Sequence, residues 1–147
     1  MRQIAWINEI KRYNYNGIIA CDVFELFSRQ KRRETLDVIE ISDIIFMNKI
    51  EQQILDFNLL TCKKTSIIKR GAKRAVLTDQ NVIQINVTPL ITKPVVNTNG
   101  AGDILADSFL LKMELGFSYA LQYAINIATK SVYFNDKQKM LLIKDMV

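Results

Sequence analysis

Along the first third of the chain, short apolar runs alternate with longer charged stretches. Ile4, Ile7 and Ile10, with Trp6 and Tyr13 adjoining, make a stripe at helical spacing, which predicts a core-facing helix over residues 2–13. Asn14 to Gly17 reads as a turn, and Ile18 to Cys21, ending at Asp22, reads as a buried strand. Residues 29–40 are charged and helix-tolerant. A second apolar run, Ile44 to Met47, ends at Asn48 and opens into a helical stretch carrying Glu51, Ile54 and Leu55. The order helix, strand, helix, strand, helix predicts parallel strands with helices on the sheet faces, because a parallel crossover needs a helix-length connection.

The middle third changes period. Ser66 to Ile68, Ala75 to Thr78, Val82 to Val87 and Pro94 to Val96 are short β-rich runs, punctuated by Gly71 and by Asp79-Gln80-Asn81, so hairpin pairing is expected there. The last third is helical again, with one helix over 102–115 closed by Gly116 and a second capped by Ser118, presenting Ala120, Tyr123, Ala124, Ile127, Ala128 and Ser131 on one face. Without internal repeat or linker, residues 1–147 are expected to form a single domain.

Composition narrows the chemistry. The chain has 147 residues, 49% of them apolar, and a formal charge of +5, which suits an anionic ligand and equally an ordinary basic surface. The basic runs Lys31-Arg32-Arg33 and Lys63-Lys64 lack a stacking platform, so they are read as solvated faces and no nucleic acid is expected. Tyr13, Tyr15, Phe24, Phe27 and Phe46 are read as core packing. Cys21 and Cys62 form no C-x-x-C pair and are expected as reduced thiols. The N-terminal stretch is too charged for a signal peptide or membrane span, which together predicts a cytoplasmic protein with no membrane partner. Histidine is absent, so any general base must be a carboxylate, a lysine or a less usual group.

That draws attention to Asn97-Thr98-Asn99-Gly100-Ala101-Gly102-Asp103, between apolar Val95-Val96 and a helix-forming stretch. Glycines around an alanine let the backbone approach a ligand, and the following helix aims its unpaired N–H groups at the same place, which makes an anion site. Asp103, in the first turn, stands where it can take a proton from an attacking hydroxyl. On local spacing alone, a plain glycine turn followed by an acidic first-turn residue is an equal alternative. Asn48 with Glu51 likewise reads, by itself, as an N-cap and its N3 partner. Asp22, at a strand end where ligands of parallel sheets gather, is open to a site role, but such an aspartate is more often a turn former and is left out of the catalytic set.

VVNTNGAGDILADSFL resembles the signature of the ribokinase (PfkB carbohydrate kinase) family, in which a strand enters D-T-x-G-A-G-D and continues into a helix carrying A-x-G-F. By that resemblance Asp103 is the catalytic base and Gly100, Ala101 and Gly102 form the anion hole. SDIIFMNKIE resembles the family strand ending in N-x-x-E, so Asn48 and Glu51 inherit a part in organising phosphates and, through water, Mg2+. TSIIKRGAKRAVL resembles the strand, turn and strand that line the nucleotide, which places Lys69, Gly71 and Arg74 beside ATP. The helix from Ser118 resembles the one closing the adenine side. The wording around Cys21-Asp22-Val23-Phe24 and T-N-G-A-G-D is similar to adenosine-kinase-like members, with sugar kinases close behind.

The resemblance spans nearly all of this chain but about half of a family protein. It implies an α/β, three-layer ribokinase-like (Rossmann-like) domain, mostly parallel with a β-rich hairpin segment and truncated at its N-terminal side. The implied activity is ATP-dependent, Mg2+-assisted phosphoryl transfer to a hydroxyl of a nucleoside or sugar. Acceptor contacts and lid belong to the family's other half, which a homodimer or a separately encoded N-terminal half would have to supply. Asn97 stands where the signature has aspartate, weakening a nearby monovalent cation. Lys69 replaces a threonine, Arg74 a glycine, and Ser108 the glycine of A-x-G-F. A non-catalytic nucleotide-binding remnant and a basic interaction domain are the rival readings.

Overall fold

The computed structural model describes residues 5, 9, 10, 12, 13, 15–58, 62–80 and 82–144. The helix expected over 2–13 falls mostly outside the described residues, as do Asn14 and Asn81 of the expected turns. The elements are β1 (Ala20–Asp22), α1 (Glu25–Gln30), α2 (Arg32–Ile41), β2 (Ile44–Asn48), α3 (Lys49–Leu55), β3 (Thr65–Lys69), β4 (Ala75–Asp79), β5 (Val82–Val87), α4 (Ala101–Lys112), a 3₁₀ turn (Met113–Leu115), α5 (Phe117–Ser131) and α6 (Asp136–Lys144). They group into two compact units, Met1–Lys69 with Val76–Gln84, and Arg70–Ala75 with Ile85–Val147. No helix among the described residues is long and apolar enough to cross a membrane.

The strands form one sheet in the order β1-β2-β3-β4-β5. β1 pairs parallel with β2, Asp22 opposite Phe46, and β2 pairs parallel with β3, Phe46 opposite Ile67 and Asn48 opposite Lys69. β3 and β4 are joined only by residues 70–74, too few for a parallel crossover, and the link is a tight turn in which Arg70 N–H donates to Arg74 O at 2.9 Å. The sheet is therefore mixed. β2 is a continuous apolar run because both its faces are buried, as parallel strands require. On one face, Ile45, Met47, Ile68 and Val76 pack with Ile39 of α2 and Leu55 of α3, and Val23, Cys21, Leu36, Phe57 and Cys62 extend this core.

The charged stretch expected as one helix is two. Lys31, at φ −137° and ψ 49°, breaks α1 from α2. Of the aromatics assigned to the core, only Phe46 is buried; Tyr13, Tyr15, Phe24 and Phe27 are exposed. Phe24 and Phe27 flank β1 at the end of the sheet and turn to each other, ring centroids 6.3 Å apart, rather than into the cluster around β2. Two basic groups read as solvated serve the backbone instead. The Arg32 guanidinium donates to Leu55 O at 2.8 Å at the end of α3. The Lys64 ammonium donates to Ile39 O at 3.1 Å, to Ser42 O at 2.6 Å and to Glu40 O at the end of α2. Each satisfies carbonyls that a helix terminus leaves open.

In the second unit, α4 and α5 pack together through Ile104, Leu105, Phe109, Ala120, Leu121 and Ala124, and the Phe109 and Phe117 rings meet at 5.8 Å. α4 begins at Ala101, one residue before expectation, and its last turn tightens to 3₁₀. Gly116, at φ 105°, and not Ser118, precedes α5. Holding Phe117 against Phe109 starts that helix a residue before Ser118. The strand expected at Pro94–Val96 does not form. Pro94 has no N–H for a ladder, and the amides of Val96 and Asn97 both donate to Val132 O at the end of α5.

Ile45→Ala should destabilise the chain by about 2–5 kcal/mol in urea unfolding, since the cluster around β2 closes on that side chain. Ile18→Ala, at an exposed position, should stay within about 0.5 kcal/mol of wild type.

Candidate functional site

Parallel pairing of β1, β2 and β3 puts their carboxyl ends on one edge of the sheet, where ligands of open α/β sheets gather. Asp22, Asn48 and Lys69 are the last residues of those strands. The Lys69 ammonium lies 2.7 Å from each oxygen of Asp22, with side chains 16% and 29% exposed, so the two outer strand ends are tied by a charge-assisted fork. Asp22 is thus more than the turn former that its position implied. Lys69, placed beside ATP by its sequence context, already holds a carboxylate.

Between them, Asn48 and Glu51 make a full capping box at the start of α3. Asn48 Oδ1 accepts from Ile50 N at 2.8 Å and from Glu51 N at 2.9 Å, and Glu51 Oε2 accepts from Asn48 N at 2.6 Å. Glu51 is buried, and burial pushes its carboxyl above the usual carboxylate range, with the Asn48 amide and the Lys69 ammonium pulling back and Asp22 and Glu25 pushing further up. Asn48 Oδ1 spends its acceptor capacity on two amides, so it cannot also ligate a metal ion. No group of three or more metal-ligating side chains exists among the described residues. A carboxylate that keeps one oxygen outside the capping box, as Glu51 does, could meet a hydrated cation through water.

The second unit holds the glycine loop. Gly100 caps α4 in the left-handed region, at φ 72°, with nothing within 4 Å of where a Cβ would stand, and no side chain caps the helix. Ala101, Gly102 and Asp103 form the first turn of α4, and Asp103 is exposed. The loop before them is strapped down. Asn97 Oδ1 accepts from Asn99 N at 2.8 Å and Asn97 Nδ2 donates to Asp136 Oδ1 at 2.7 Å. The ammonium of Lys139 donates to Asn97 O at 2.9 Å and Asn99 O at 2.6 Å. Lys139 lies on α6, which opens with a reciprocal cap between Asn135 and Gln138. Nothing in the polar stretch around Lys139 marked it; only a loop geometry with two carbonyls turned one way could have done so. Gly71, at φ 57°, turns the hairpin that carries Arg74, whose side chain is exposed, and Ser108 is buried in α4.

The structure thus assembles the expected residues as two sets: Asn48, Glu51 and Lys69 with Asp22 in the first unit, and Gly100 to Asp103 with Asn97 and Lys139 in the second. For Glu51 the raised pKa has a defined consequence. The folded chain holds that proton more tightly than the unfolded one, so this contribution is fully present below the ordinary value of 4.5 and is lost as pH rises through the elevated folded value. Glu51→Gln keeps an acceptor for Asn48 N and should flatten that slope in urea unfolding measured from pH 4.5 to about 8. Glu51→Ala also loses the cap and should cost about 1 kcal/mol at the acid end.

No protein-family model matches the chain, and no curated protein matches it. Solved structures do. A nucleoside kinase from Methanocaldococcus jannaschii, a ribokinase-family member, superposes with a TM-score of 0.75 at 19% identity, over 95% of this chain and 51% of that one. Adenosine kinase from Schistosoma mansoni, in complex with 2-fluoroadenosine, gives 0.74 at 19% identity, over 88% and 46%. A ribokinase from Thermotoga maritima gives 0.65 at 20% identity, over 92% and 52%. The chain spans about half the length of the structures it matches. It has the ribokinase-like α/β fold, in the extent of about one half of such a protein.

Proposed function

We propose that this chain is the phosphate-handling, C-terminal half of an ATP-dependent kinase that transfers the γ-phosphoryl group to a hydroxyl of a nucleoside, adenosine-like in the first instance, or of a sugar. One observation carries the reading: Gly100, left-handed and uncrowded, opens α4 so that Asp103 sits exposed in its first turn. Backbone amides at such a helix start stabilise charge on a transferring phosphoryl group without a basic side chain. Asp103 takes the proton of the acceptor hydroxyl as it attacks. Lys69 and the Gly71–Arg74 hairpin serve the nucleotide phosphates, with Lys69 exchanging Asp22 for them. Glu51 would hold a hydrated Mg2+ through water, and that ion, when bound, would supply the charge that offsets the phosphates. The nucleoside preference draws support from the adenosine and nucleoside kinases among the matched structures. In this reading, acceptor and lid contacts belong to the part of the fold that these residues do not span. A cytoplasmic setting belongs to the same reading, both cysteines being free thiols.

A second reading is a nucleotide-binding remnant, or one half of a split kinase, without turnover of its own. The engagement of Lys69 by Asp22 favours it. Positioning the acceptor is worth roughly 7–11 kcal/mol of barrier, more than an isolated anion hole replaces.

Calorimetric titration with ATP, with and without Mg2+, and transfer from labelled ATP to a panel of nucleosides and sugars separate the readings. The chain alone should bind MgATP weakly and phosphorylate adenosine or ribose poorly. Asp103→Asn should leave binding unchanged and lower any transfer by about 10²–10⁴-fold. Binding without transfer selects the second reading, and no binding at all overturns both.

A further inference from the structure

Lys139 is 5% exposed and sits behind the glycine loop, its ammonium on the backbone oxygens of Asn97 and Asn99. A buried ammonium is costly unless its donors find partners, and here two carbonyls of one loop take two of its three N–H groups. The same pair of carbonyls is the kind of ligand that a potassium ion takes in place of its hydration shell. Around them the side chains are arranged for a resident cation. Asn97 brings no charge of its own and gives its amide to Asp136, while its Oδ1 fixes the Asn99 amide, so both carbonyls stay turned toward Lys139. The reciprocal cap of Asn135 and Gln138 sets the start of α6, and one turn later that helix delivers Lys139.

We infer that the Lys139 ammonium is the built-in cation of the Asn97–Gly100 loop, holding it in shape for an anion and making it independent of a monovalent metal ion. Lys139 is a positioning residue: it touches the loop's carbonyls, and the loop's amides touch the ligand. The anion-binding part of this inference rests on the kinase reading above. The cation part does not, since it concerns the loop by itself. It also explains why an asparagine suffices at position 97. With the charge supplied from α6, a carboxylate there is not needed to hold a cation.

The test compares wild type, Lys139→Met and, should that variant fail to fold, Lys139→Gln, each in potassium, sodium and tetramethylammonium chloride at equal ionic strength. Three quantities are read: melting temperature, amide hydrogen exchange over residues 97–102, and MgATP affinity. Wild type should be indifferent to the cation in all three. The variant should melt lower and exchange at least tenfold faster in tetramethylammonium, and potassium should restore most of both. Its MgATP affinity should acquire a potassium dependence of about tenfold, one 1.4 kcal/mol step. A wild type whose loop or affinity responds to potassium would overturn the inference. So would a variant indistinguishable from wild type, or one that exchanges faster and is not rescued by potassium, which would make Lys139 a tether only. If wild type binds no MgATP, the kinase reading falls while melting and exchange still decide the role of Lys139.

Discussion

Parallel pairing of three short strands is the constraint on which the first unit depends. Antiparallel neighbours would send successive strand ends to opposite edges of the sheet. The parallel ladder of β1, β2 and β3 sends Asp22, Asn48 and Lys69 to the same edge. Its central strand is buried on both sides, which explains the apolar run of β2 and the position of α2 and α3 over Ile45 and Met47, while β1 stays largely exposed. Once the strand ends are collected, polar chemistry follows at small cost in backbone geometry. Asn48 ends a strand and starts a helix in one residue, and Glu51 returns to cap it.

A second theme is the use of cations to gather backbone carbonyls. Arg32 closes the end of α3, Lys64 the end of α2, and Lys139 the glycine loop. An ammonium or guanidinium donates several hydrogen bonds at once, so a single side chain can satisfy carbonyls that no amide reaches. The net charge of +5 is therefore only in part a surface property. Some of it is internal, bonded to the chain's own backbone.

Elements defined by local chemistry were legible from the sequence. The apolar runs at Ile44–Met47, Ser66–Ile68 and Ala75–Thr78 mark strands, and Asn48 with Glu51 reads as the capping box that forms. Reading failed where a residue's role depends on what lies beside it in space. Phe24 and Phe27 have the same composition signal as Phe46, yet only Phe46 lies on a strand flanked on both sides. Val95 and Val96 favour a strand, but Pro94 and the pull of Val132 O leave them without a ladder. Of the site, Gly100 to Asp103 was visible because glycine spacing is a local signal. Lys139 was invisible, because its meaning lies in two carbonyls some forty residues earlier in the chain.

Among the described residues β1 stands at one edge of the sheet and is only Ala20–Asp22, a brevity with a consequence for life at high concentration. An edge strand is a template for any passing extended segment, and the number of hydrogen bonds on offer sets how firmly an intruder is held. Three residues offer few. The strand's approach is already committed, since Ile19 donates to the Asp43 carboxylate at 2.8 Å and its carbonyl accepts from Asp43 N at 2.7 Å. The last residue, Asp22, carries a carboxylate gripped by Lys69, so a stray strand would meet a charged clasp where it needed a free ladder. Shortness at this edge thus limits sheet-to-sheet aggregation through β1.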